Sequence, residues 1–138
     1  MKLEIVTPEK IIYSGDVDQI TVATVDGQIA ILPHHVNLFT KIKPGELHLK
    51  IADKEQFLAV TGGFLEVSAN KVTILADYAI HAEDVNVEKA LAAQKRAEEL
   101  LKKKEGQLNE REYAELQSAL GRALLELDIA NKRRRRKV

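Results

Sequence analysis

Up to about Asp84 the apolar residues come in short alternating runs broken by turns, and beyond it they recur every three or four positions. Glu46, His48 and Lys50 alternate with Leu47, Leu49 and Ile51, a period of two that fits a strand buried on one face. Tyr113, Leu116, Leu120, Leu124 and Leu127 fall on one stripe of a helix. The pattern predicts an α+β chain: an N-terminal antiparallel β-sandwich over residues 1–84, then a C-terminal antiparallel hairpin of two helices over 85–131. A basic tail, 132–138, follows.

Within the first part, strands are expected over Lys2–Thr7, Ile11–Tyr13, Val17–Thr24, Gln28–Leu32, Glu46–Ile51, Gln56–Val60, Phe64–Ser68 and Lys71–Ala76. Asp26-Gly27 is a strong hairpin turn signal, and Ala69-Asn70 links the last two strands as a tight hairpin. Pro33 stops the fourth strand because proline donates nothing to a ladder, and a loop runs on through His34, His35, Val36 and Asn37. The first helix begins at Asn86, an N-cap, and ends at Gly106 after Lys102-Lys103-Lys104, which suit the negative end of the helix dipole. The second begins at Asn109, with Glu112 completing a capping box, and runs to about Asn131. Val87, Ala90, Leu91, Ala97, Leu100 and Leu101 make a thin seam, so the hairpin docks weakly and Gly106 leaves it a hinge.

Composition narrows the chemistry. The 138 residues hold no Cys and no Trp, and aromatics are 4%. Thiolate chemistry, disulfides and cysteine zinc sites are thereby excluded, and the core must be aliphatic. No apolar run nears the roughly 20 residues that span a bilayer, and the start lacks a charged-then-apolar leader, so a soluble, unprocessed protein is expected. The formal net charge of zero hides an asymmetry. Residues 1–83 hold seven lysines against eleven acids, residues 84–131 hold eight bases against ten acids, and Lys132-Arg133-Arg134-Arg135-Arg136-Lys137 balances both. Such a block reads as a solvated, unpacked tail or as a tether for an acidic partner.

Two stretches are more specific than any periodicity: Gly27-Gln28-Ile29-Ala30-Ile31-Leu32-Pro33-His34-His35 and Ala59-Val60-Thr61-Gly62-Gly63-Phe64-Leu65-Glu66-Val67. Both resemble signature segments of the epsilon subunits of F-type ATP synthases, whose forms are Gly-Glu-Leu-Gly-Ile-Leu-Pro-Gly-His and Val-Ser-Gly-Gly-Phe-Leu-Glu-Val. Ile5-Val6-Thr7-Pro8, Val72-Thr73-Ile74-Leu75-Ala76-Asp77 and Leu120-Gly121-Arg122-Ala123-Leu124 extend the similarity over all but the basic tail. The resemblance implies a non-catalytic subunit of the rotor's central stalk, coupling proton translocation to ATP synthesis. Its sandwich would seat on the gamma subunit and the c-ring. Its helical hairpin would extend toward the alpha and beta catalytic subunits to inhibit ATP hydrolysis. It would lie at the cytoplasmic face of the cell membrane as a peripheral subunit, associated with the membrane only through the complex.

Residue by residue, the resemblance makes Gln28 and His35 the candidates for contact with the c-ring or gamma, although Gln28 stands where the family commonly has Glu, and Ala30 and His34 replace glycines. Some bacterial members bind ATP through a motif similar to Ile-Asp-x-x-Arg-Ala. Here the stretch is Val85-Asn86-Val87-Glu88-Lys89-Ala90, with Arg96 and Arg122 as further phosphate candidates and Glu126 where another base is often found. Asn86 offers no carboxylate and Lys89 no planar fork, so ATP is expected as a weak regulatory ligand and no cofactor is required. Arg122 and Arg133, Arg134, Arg135 and Arg136 are the candidates for an inhibitory contact with acidic segments of beta.

Other chemistries lack a constellation. His34-His35 are adjacent on a loop with no third ligand at a metal-binding spacing. Gly62-Gly63 lacks the longer glycine pattern and the helix of a phosphate loop. Ser14, Ser68 and Ser118 have no nucleophile elbow, so no catalytic residue is expected. The competing reading from another class is a nucleic-acid-binding or adaptor module using the basic tail, but the remaining chain is net acidic and no aromatics interleave the bases.

Overall fold

The computed structural model describes residues 1–136; Lys137 and Val138, the end of the expected tail, lie outside the described residues. The chain divides into two compact units, Met1–Ala82 and the residues from Glu83 on.

The first unit holds ten strands: β1 (Lys2–Val6), β2 (Ile11–Asp16), β3 (Gln19–Thr24), β4 (Gly27–Ile31), β5 (Leu38–Ile42), β6 (Gly45–Ile51), β7 (Lys54–Val60), β8 (Gly63–Ser68), β9 (Lys71–Ala76) and β10 (Ala79–His81). They pair in the order β10-β7-β6-β3-β5-β8-β9-β1-β2, with β4 paired to β3 alone. The sheet folds over at β3 and β5, which touch at Thr24 and Ile42. Alternate residues then fill one aliphatic core, including Leu3, Ile5, Ile20, Val22, Ile31, Leu47, Leu49, Leu58, Leu65 and Ile74. Every pairing is antiparallel except β1 with β9, which run parallel. No turn signal encodes that contact, since residues 7–70 lie between the two strands.

Two strands, β5 and β10, lie outside the periodic reading, and β2 extends three residues beyond it. β5 follows the expected loop directly after Asn37, and in it Thr40 and Ile42 point inward and Phe39 and Lys41 outward. β10 is only three residues long, too short to show a period. β2 runs past its expected end at Tyr13 through Ser14-Gly15-Asp16, because β1 supplies a partner as far as Lys2 opposite Asp16.

The hairpins follow their sequence. Ala69 and Asn70 both take positive φ, 51° and 61°, as a two-residue type I′ turn requires. Gly63 (φ 140°) sits where any Cβ would collide with the Leu75 carbonyl oxygen on β9, so the close approach of β8 to β9 admits only glycine.

The second unit is a pair of packed helices, α1 (Val87–Lys103) and α2 (Glu110–Arg136). Asn86 caps α1, its side-chain oxygen accepting from the Lys89 N–H at 3.0 Å. Asn109 does the same for α2 through the Glu112 N–H at 2.8 Å. Ala90, Ala97 and Ala123 are buried, as an alanine seam requires. Helix α2 does not stop near Asn131 but continues to Arg136. Lys132 reaches Asp128 at 3.3 Å and Arg134 donates to the Asn131 side chain at 3.5 Å, so neighbours one turn back absorb part of the repulsion expected to unwind the tail. A helix C-terminus also favours cations.

Candidate functional site

Two surfaces of the first unit and two groups of residues in the second carry the candidate chemistry. Gln28 lies exposed on β4. His35 lies in the loop after it, where ring Nδ1 is 2.7 Å from the Val36 carbonyl oxygen. A carbonyl only accepts, so Nδ1 is the donor there. The loop is held at both shoulders: the His34 N–H donates to Asn70 Oδ1 at 2.9 Å, and the Ala69 N–H donates to Asn37 Oδ1 at 3.4 Å. This fixes Leu32 and Val36 in solvent, 53% and 76% exposed. One loop, tied down by two side-chain hydrogen bonds, thus presents two exposed aliphatic side chains together with a histidine.

The second surface was missed by the periodic reading. On the outer face of β5, β8, β9, β1 and β2 the register places Lys41, Phe64, Leu75, Val6 and Ile11 in one row across five strands. Phe39 joins it diagonally, its ring stacked on Phe64 at 5.7 Å between centroids. Phe39, Phe64, Leu75 and Ile11 are 66%, 45%, 54% and 63% exposed. Scattered apolar residues are ordinary on a surface, but a contiguous row with a stacked aromatic pair marks an interaction site. The available signal is the alternation of Leu38, Thr40 and Ile42 against Phe39 and Lys41.

In the second unit, the Asn86 oxygen is engaged in capping α1, while Lys89 is exposed in its first turn and Arg96 is exposed two turns later. Arg122, on α2, has its Nε 3.6 Å from Glu126 Oε1, and the Glu126 side chain is only 14% exposed. Arg122, one of the four ATP candidates, is thus already paired with a carboxylate of its own helix. The hollow at the turn between the helices, about 240 Å³, is lined by Leu101, Glu105, Gly106, Leu108, Asn109, Glu110 and Tyr113, and contains none of the four ATP candidates. Arg133 to Arg136 form the last turn of α2. Among the described residues no three His, Cys, Asp or Glu side chains converge as metal ligands, and no helix is long and apolar enough to cross a membrane.

Comparison with known proteins matches both units. Residues 1–82 match the family model of the ATP synthase delta/epsilon chain β-sandwich domain, and residues 83–131 that of its long α-helix domain. The chain is 42% identical to an ATP synthase epsilon chain of Dehalococcoides mccartyi over 137 residues, 98% of this chain and 95% of that one. It is 43% identical over 110 residues to that of Brevibacillus brevis, covering 79% of this chain and 83% of the other. The fold is similar to a chain in the OSCP/F1/c-ring structure of the Euglena gracilis mitochondrial ATP synthase, with a TM-score of 0.67, 24% identity, and coverage of 86% of this chain and 74% of that one.

Proposed function

The chain belongs to the ATP synthase delta/epsilon family, and on that premise we propose that it is a non-catalytic central-stalk subunit whose sandwich docks on gamma and the c-ring and whose helices restrain ATP hydrolysis. The observation that carries the docking half is the apolar row on the outer sheet face, with Phe39 and Phe64 at its centre. A protein working alone would gain solubility by placing polar residues there. The pinned Leu32–Val36 loop, with Gln28 and His35 beside it, is assigned to the ring contact. The family match replaces the alternative of a nucleic-acid-binding or adaptor module. Membrane association then comes through the complex, at the cytoplasmic face of the cell membrane.

For the helical unit, the role of Arg122 and Arg133 to Arg136 is contact with acidic segments of the catalytic beta subunits. ATP would be held weakly, because Asn86 and Lys89 lack the charge and the planar fork such a site uses, and Glu126 engages Arg122. The test of the docking assignment is Phe64→Asp, exposed and remote from the core. It should leave the melting temperature within a few degrees and weaken binding to purified gamma at least about tenfold, roughly the loss of one buried aromatic anchor. Unchanged binding would move the gamma surface elsewhere.

A further inference from the structure

The apolar row on the outer face of β5, β8, β9, β1 and β2 is the first of three. One step along the strands the register sets Phe39, Glu66, Thr73, Glu4 and Ser14 side by side, and one step further Ser68, Lys71, Lys2 and Asp16. Successive rows on one face of a sheet lie about 7 Å apart. Alternation along each strand turns these side chains away from the core. Lys2, Glu66 and Lys71 are exposed, and Glu4 and Thr73 are half-buried between fully buried neighbours.

The charges on this face are sorted by sign. Glu66 and Glu4 stand on either side of Thr73 in the second row, and Lys71 and Lys2 are direct partners in the parallel β9–β1 pair in the third. Opposite charges on neighbouring strands stabilise each other, and like charges directly opposite repel. The second unit follows that rule, pairing Arg111 with Glu115 and Lys132 with Asp128. The outer face does not: among the described residues none of Lys2, Glu4, Glu66 and Lys71 forms an ion pair. Bases beside bases and acids beside acids are matched by a second surface carrying the reverse order. The charged rows are also continuous with the docking face, because Phe39 is the register partner of Glu66 and its ring stacks on Phe64.

We propose that this charge order sets the register in which gamma seats on the face. Beside the apolar surface that covers Phe39, Phe64 and Leu75, gamma presents a basic side chain over Thr73, between Glu66 and Glu4, and an acidic one about 7 Å beyond it, between Lys71 and Lys2. The choice of gamma rests on the docking role proposed above. Thr73 is short, so a guanidinium or ammonium group lowered onto it has a carboxylate-bearing strand about 5 Å away on each side. The apolar row supplies the burial and the charged rows the alignment. A gamma surface slid by one row brings its base against Lys71 and Lys2 and is repelled.

The experiment measures binding of the full chain to purified gamma across ionic strength. The decisive variant exchanges the two rows, Lys2→Glu, Glu4→Lys, Glu66→Lys and Lys71→Glu together, and so keeps the net charge of zero. It should bind gamma at least about tenfold more weakly at low salt, with the gap narrowing as salt screens the contacts. Glu4→Gln with Glu66→Gln removes the acidic row with no change of shape, should weaken binding about threefold or more and flatten the salt dependence, and decides the question if the exchanged variant does not fold. Binding that Phe64→Asp weakens and that both row variants leave unchanged at every salt concentration would overturn the charge order while sparing the docking face. Binding unaffected by Phe64→Asp and by the row variants alike would overturn the docking role and this inference with it. An equal loss in the exchanged variant at low and high salt would assign the effect to shape and overturn the charge order.

Discussion

Gly63 and Gly27 both hold positive φ, 140° and 114°, but only Gly63 is crowded: an added Cβ there meets the Leu75 carbonyl oxygen and the Ala76 backbone, while at Gly27 it meets nothing within 4 Å. The pair separates steric exclusion from conformational preference. Gly27→Ala should cost about 1 kcal/mol, and Gly63→Ala at least about 3 kcal/mol, read by urea denaturation of the full chain. Equal losses at the two sites would show that β8 and β9 can move apart. The nucleotide question also belongs to single residues. Asn86→Asp with Lys89→Arg restores an anion and a planar fork, and Glu126→Gln removes the carboxylate beside Arg122. The triple variant should bind ATP at least about tenfold more tightly than the unmodified chain in calorimetry. Strong binding by the unmodified chain would mean that the Arg122–Glu126 pair opens for phosphate at little cost.

At the scale of the element, the basic end of α2 differs most from its sequence reading. Six bases in a row signal repulsion, but sequence periodicity does not register that Asp128 and Asn131 lie one turn behind Lys132 and Arg134. Helical through Arg136, the arginines radiate from a stiff tip and do not trail in solvent. Neutralising Arg133 to Arg136 as glutamines should relieve inhibition of ATP hydrolysis in the reconstituted complex and flatten its dependence on salt, since screening acts over about 8 Å at physiological ionic strength. An unaltered salt response would assign inhibition to other parts of α2. The same contrast between local and distant information runs through the fold. The hairpins at Asp26-Gly27 and Ala69-Asn70 and the caps at Asn86 and Asn109 were legible because each is encoded within a few residues. The parallel β1–β9 pairing and three-residue β10 were not, because their partners are distant in sequence. Gln28 and His35 are singled out only by the family resemblance of the residues around them, and no periodicity points to them. The apolar row was illegible for a physical reason: it is assembled one residue per strand from five strands, and each residue alone is an unremarked exposed side chain.

For the whole molecule the decisive fact is where the core lies. The buried aliphatic cluster, from Leu3 to Ala79, is contained within the first unit, as are the apolar row and the pinned loop. A unit of about 80 residues with a continuous core can fold alone. The helical unit has an alanine seam with few large buried side chains, so its own stability is modest and it suits a part that rearranges. A chain truncated after Glu83 should therefore unfold cooperatively, bind gamma within about threefold of the full chain, and support ATP synthesis when assembled. It should lose inhibition of hydrolysis, because that function is proposed for the helices alone. Calorimetric melting tests the first expectation and paired synthesis and hydrolysis rates of the reconstituted complex test the rest. A folded fragment that no longer binds gamma would place part of the docking surface on the helices, and one that still inhibits hydrolysis would return the regulatory role to the sandwich.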